Sequence, residues 1–112
     1  MDDAARFETE LKILRLILYR ASAVESPNPL GGDLSAFLDQ LADYEWTDHE
    51  HRVVYECLRT ARRTRIVPLR TQMASLATRL GHPDVTWDSY FGQPTEHLEF
   101  VVLIDRLKRN SL

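Results

Sequence analysis

The sequence predicts one all-α domain, a compact bundle of five to six short helices spanning residues 1–112. Three observations predict it. Apolar residues recur at three- and four-residue spacings along the chain. Clusters of turn formers cut these stretches into short lengths, and neither strand-like alternation nor an internal repeat is present.

The first helix is expected from about Ala4 to Ala23, with Phe7, Leu11, Leu14, Ile17 and Leu18 facing inward. The stretch Ser26-Pro27-Asn28-Pro29-Leu30-Gly31-Gly32 ends it, because proline and glycine there favour turns. Asp33 is placed to cap a second helix carrying Leu34, Phe37, Leu38 and Leu41. Thr47-Asp48-His49-Glu50 has the form of a capping box, in which Thr47 accepts an amide and Glu50 reaches back. A third helix from about Asp48 to Thr64 follows. Pro68 is placed to open a fourth, with Met73, Leu76, Ala77 and Leu80 inward and Gly81 as its stop. Trp87 to Phe91 is a single short turn, and Thr95 caps a last helix running to about Arg109.

Composition narrows the function classes. With 112 residues there is room for one modest core, and too little chain for a motor or a two-domain enzyme. A net charge of −3 does not suit a dedicated nucleic-acid binder, although it leaves room for a local basic patch. Cys57 is the single cysteine, which excludes an intrachain disulfide and a cysteine-rich metal site. Met1-Asp2-Asp3 lacks the basic start of a secretory signal, and Leu16-Ile17-Leu18-Tyr19 is too short to span a bilayer. The expected location is the cytoplasm.

No residue set converges on catalysis, and no cofactor is expected. His49 and His51 flank Glu50, but helix positions two apart point to opposite sides and cannot share one ion. Cys57 lies beside Val54, Leu58 and Ala61 on an apolar face, where an inert, buried thiol is expected. Gly31-Gly32 has neither the lysine nor the strand-to-helix setting of a phosphate loop. The remaining feature is basic: Arg52, Tyr55, Arg59, Arg62 and Arg63 on one broad face, followed by Arg65 and Arg70. Such a face suits phosphates and bases or an acidic protein, but the first expectation is a solvated surface with Glu56 pairing to Arg52 and Arg59.

The stretch from Tyr44 to Leu58 resembles the N-terminal head domain of the bacterial replicative helicase (DnaB type). In that family an aromatic residue precedes a helix bearing a His-Arg pair, an aliphatic, an aromatic and another aliphatic. Here those places hold Trp46, His51-Arg52, Val54, Tyr55 and Leu58. Glu10-Leu11 through Leu18 looks like the family's opening helix, Ile66-Val67-Pro68-Leu69 like its loop into the fourth helix, and Tyr90-Phe91 like its later aromatic pair. The chain departs in having Leu69-Arg70 where an acidic residue is usual, and in ending with the helix at Leu98 to Leu107. The related helicase-binding domain of primase fits Leu11 to Leu18 equally well. The resemblance implies a non-catalytic protein-binding module of replication that docks on a partner or on its own copy. His51-Arg52 then holds the head together, with Arg52 pairing to Asp43 or Glu45.

Two helices carry more apolar surface than one inward face needs. Ile13 and Leu16 lie off the main stripe of the first helix, beside Ile17 and Arg20. On the last helix Phe100, Leu103, Ile104 and Leu107 form one set, with Leu98, Val101 and Val102 on another side. One such helix can run through the centre of the bundle. The surplus predicts a surface for another chain, most simply a second copy across a two-fold axis, using Ile13, Leu16, Arg20, Phe100, Leu103, Ile104 and Leu107.

Overall fold

The computed structural model describes residues 3–23, 33–91 and 100–110, in the order α1 (Asp3–Ala23), α2 (Asp33–Gln40), α3 (His49–Thr64), α4 (Arg70–Arg79), a 3-10 turn (Trp87–Ser89) and α5 (Phe100–Asn110). No strand occurs among the described residues, and no helix there is long and apolar enough to cross a membrane. The expected cap at Thr95, the glycine pair Gly31-Gly32, and Leu98 lie outside the described residues.

The spine is α1. Ile13, Leu14, Ile17, Leu18 and Ala21 recur at helical spacing, and each is at most 1 % exposed. This helix packs chiefly on α5 and then on α3, while α3 also carries α4. On α5, Leu103, Ile104 and Leu107 are buried against this core. The two apolar-rich helices therefore satisfy each other within one chain. Ile13, Leu103, Ile104 and Leu107 are core residues and offer no surface to a second copy, which corrects the expectation drawn from their number. Of that set Leu16 is half-buried against the core and Arg20 is exposed, while the Phe100 side chain lies outside the described residues. Val101 and Val102 do face outward, at 61 % and 40 % exposure. Phe7, expected inside, is 39 % exposed, and its ring lies over His51 at 4.5 Å.

Helix ends depart from expectation in two places. The N-cap of α3 is Asp48, whose carboxylate accepts from the His51 amide at 3.1 Å; Thr47 and Glu50 form no capping box. Both are drawn instead into contacts with other segments. Helix α4 starts at Arg70, after an extended Leu69, so Pro68 stands two residues ahead of the helix and not at its first position. Leu80, expected inside, closes α4 and is 45 % exposed, while Gly81 turns the chain at φ +90.

Candidate functional site

Glu10 is the centre of the buried polar chemistry. It sits three, four and seven residues before Ile13, Leu14 and Ile17, so the helix that buries those residues carries its carboxylate into the interior. A buried carboxylate without partners is costly. Here Oε1 accepts from the Thr47 hydroxyl at 3.0 Å and from His51 Nδ1 at 2.8 Å. Oε2 accepts from the Tyr44 hydroxyl at 2.5 Å and from the Thr47 amide at 2.9 Å. An ionised carboxylate only accepts, so His51 holds its proton on Nδ1. Burial by itself pushes the Glu10 pKa up, but the hydrogen bonds from His51, Thr47 and Tyr44 outweigh it and hold the carboxyl below its ordinary range. Burial, followed by the bond to Glu10, pushes Tyr44 up to about 12.

This cluster has an acid beside an imidazole, as a proton relay would. Glu10 and His51 are 0 % and 1 % exposed, however, so substrate has no approach to them. Four donors already occupy both oxygens, and the arrangement ties α1 to the 41–48 connection and to α3. A second tie lies beside it: Glu50 accepts from Thr86 at 2.5 Å and from Tyr90 at 2.7 Å, fastening the 3-10 turn to α3. Glu10 is not among the site residues expected from the sequence. The available signal was an acid standing on the most apolar stripe of the chain.

The arginine face is only partly free. Tyr55 is 2 % exposed and donates to the Leu38 carbonyl at 2.5 Å, so it belongs to the core rather than to a binding surface. Arg62 reaches α2, donating to the Ser35 carbonyl at 2.9 Å, the Ser35 hydroxyl at 3.0 Å and Asp39 at 2.9 Å. Arg70 pairs with Asp88 at 2.7 Å. Arg59 lies 3.9 Å from Glu56 and 5.8 Å from the Tyr55 ring centre. Arg52, Arg63 and Arg65 are exposed, Arg65 in the left-handed conformation that ends α3.

Among the described residues, open clefts border α3 on two sides. One, of about 180 Å³, lies between His49, Glu50, Val53 and the 81–85 turn. The His49 and His82 rings meet edge-on there at 5.7 Å, and no group of three metal-ligating side chains forms among the described residues. The other is a groove of about 460 Å³, lined by Asp43, Tyr44, Glu45, Trp46, Arg52, Tyr55 and Glu56. Trp46 stands in it edge-on to Tyr44 at 5.0 Å and tilted over Tyr55 at 5.2 Å. Its indole N–H is buried with no hydrogen-bond partner among the described residues.

Comparison with protein-family models, curated proteins and solved structures finds no match to this chain. The candidate site therefore stands on geometry. Cys57 is buried, and desolvation pushes its thiol up to about 11, which makes it a poor nucleophile. The open, chemically varied surface is the face of α3 with the groove around Trp46.

Proposed function

We propose that the chain is a non-catalytic, cytoplasmic protein-binding module of the replicative-helicase head type, docking on a replication partner or on its own copy. One observation supports this reading above others. Apart from the exposed Arg52, the residues that carry the resemblance hold the domain together: His51 fastens α1 through Glu10, Trp46 and Tyr55 stack on each other, and Val54 and Leu58 are fully buried. A resemblance seated in such residues bears on architecture more than a shared surface pattern would. The absence of a catalytic role is part of the proposal, supported by the sealed state of the acid–imidazole pair.

Mixing the purified chain with the replicative helicase and the primase of its own organism tests the replication reading. Co-elution with either on size exclusion, lost when the α3 face is substituted, supports it. A folded protein that joins neither overturns it.

The exposed Arg59, Arg63 and Arg65 favour a second reading, a nucleic-acid-binding helical domain. It is weakened because Tyr55, Arg62 and Arg70 of the same stripe are engaged within the fold. Binding of this kind is driven by counterion release and falls with salt, so a flat low-salt titration with single- and double-stranded DNA removes it.

A further inference from the structure

The outward face of α3 is charged in two halves. Arg52, Glu56, Arg59 and Arg63 recur at steps of four, three and four, which sets them on one helical stripe opposite the buried Val54 and Ala61. All four are exposed. Around the N-terminal half, the groove at Trp46 adds the carboxylates of Asp43 and Glu45 to that of Glu56, against the one guanidinium of Arg52. Beyond Arg59 the C-terminal half is basic, with Arg63 and then Arg65. The aromatic lining of the groove suits a guanidinium, which stacks on ring faces and forks onto carboxylates.

Reversed on itself, the stripe sets opposite charges together at its centre. We infer that this face binds a second copy of the chain, α3 antiparallel to α3 across a two-fold axis, with Arg63 of each copy entering the Trp46 groove of the other. The axis passes between Glu56 and Arg59, so Glu56 of one copy faces Arg59 of the other, twice. Arg63 then falls opposite Arg52, where Asp43 and Glu45 offset the like charge. Arg52 and Arg63 are about 16 Å apart along the helix, so one axis joins both ends of the face. An interface of this kind is isologous, each residue contact occurring twice. The inference rests on the reading of the chain as a protein-binding module and names one partner for it.

Sedimentation velocity on the full chain at low salt, at concentrations up to about 1 mM, tests the proposal. The expected result is a reversible monomer–dimer equilibrium that weakens at least tenfold as ionic strength rises from about 0.01 M to about 1 M, because the Debye length falls from about 30 Å to about 3 Å. Glu45→Arg and Arg63→Glu, both at exposed positions, each weaken self-association while leaving the thermal melt unchanged at dilutions where the parent is monomeric. A mixture of these two variants forms a heterodimer tighter than either homodimer, since each copy then offers the charge that the other needs at both contacts. A wild-type chain that stays monomeric overturns the proposal. So does a dimer that neither variant weakens, or a mixture that shows no preference for the heterodimer. Tri-arginine peptide, followed by tryptophan fluorescence, is the control for a foreign occupant: peptide binding by a monomeric chain assigns the groove to another protein's basic segment and rejects the second copy. Failure to bind helicase or primase by a chain that still dimerises counts against the replication reading alone.

Discussion

His51 Nδ1 lies 2.8 Å from Glu10 Oε1 across 41 residues of sequence, with both side chains withdrawn from solvent. This contact joins the first turns of α1 to the first turn of α3, with the Tyr44 and Thr47 hydroxyls closing the other positions on the carboxylate. It is a buried long-range polar constraint, and it consumes the histidine of the motif that resembles the helicase head.

Breaking the pair from one side leaves a buried polar group without its partner, which costs about 3–5 kcal/mol. His51→Ala and Glu10→Ala are each expected to melt far below the parent in a circular-dichroism scan. The Glu10→Leu/His51→Leu double variant should recover part of the loss, because it leaves no orphaned charge. Single variants that melt with the parent would show that the pair carries no constraint.

The lowered Glu10 pKa sets a pH dependence. A carboxylate whose folded pKa is below its unfolded value, near 4.5, stabilises the fold fully above that value. The stabilisation is lost as pH falls through the folded pKa, as the bound proton displaces the His51 and Thr47 contacts. Urea titrations from neutral pH down to about pH 2 should show the parent losing its advantage over Glu10→Gln in the acid range. A stability difference that stays constant across that range would contradict the assignment.

Trp46 packs on two tyrosines yet carries an unpartnered N–H. Trp46→Phe keeps a ring between Tyr44 and Tyr55 and removes a polar group that costs about 1–3 kcal/mol when buried unsatisfied. The lost volume offsets this gain, so the variant should lie within about 1 kcal/mol of the parent. Trp46→Ala should cost about 2–3 kcal/mol, below the usual range for a fully buried ring, because Trp46 is only partly buried. Chemical denaturation of the three proteins checks the order.

Neighbouring arginines should behave differently. Arg62→Ala strips the Ser35 carbonyl and Asp39 of a shared donor between α3 and α2, and should cost about 1–2 kcal/mol. Arg63→Ala, at an exposed position, should stay within about 0.5 kcal/mol. Equal losses for the two would mean that Arg63 is also part of the fold.

The same contrast applies on α5. Leu103 is 2 % exposed and Val101 is 61 % exposed. Leu103→Glu forces a carboxylate into the core and should leave little folded protein, whereas Val101→Glu should be tolerated. A well-folded Leu103→Glu protein would return this residue to the surface role suggested by its sequence pattern.

The sequence by itself determined what depends on near neighbours along the chain. Periodic apolar residues specify the helices, and Pro68, Gly81 and the Gly-Pro clusters mark their breaks, so the all-α class and the spans of α1 and α3 were legible from spacing. The inward direction of Val54, Cys57, Leu58 and Ala61 was legible for the same reason, since one helical turn fixes which residues share a face. Only the tertiary structure decided what each face meets. Periodicity identified the surplus apolar surface on α1 and α5, but their mutual packing buried Ile13, Leu103, Ile104 and Leu107 inside one chain. Thr47 stood in a good capping position, yet Glu10, 37 residues earlier, took both its hydroxyl and its amide, and Asp48 became the cap. Tyr55 looked like part of an arginine surface until α2 supplied the Leu38 carbonyl to its hydroxyl. In each case a short-range preference worth about 1 kcal/mol yielded to burial and to charged hydrogen bonds worth more. The partners in those stronger contacts lie 17 or more residues away, a distance over which local spacing carries no information.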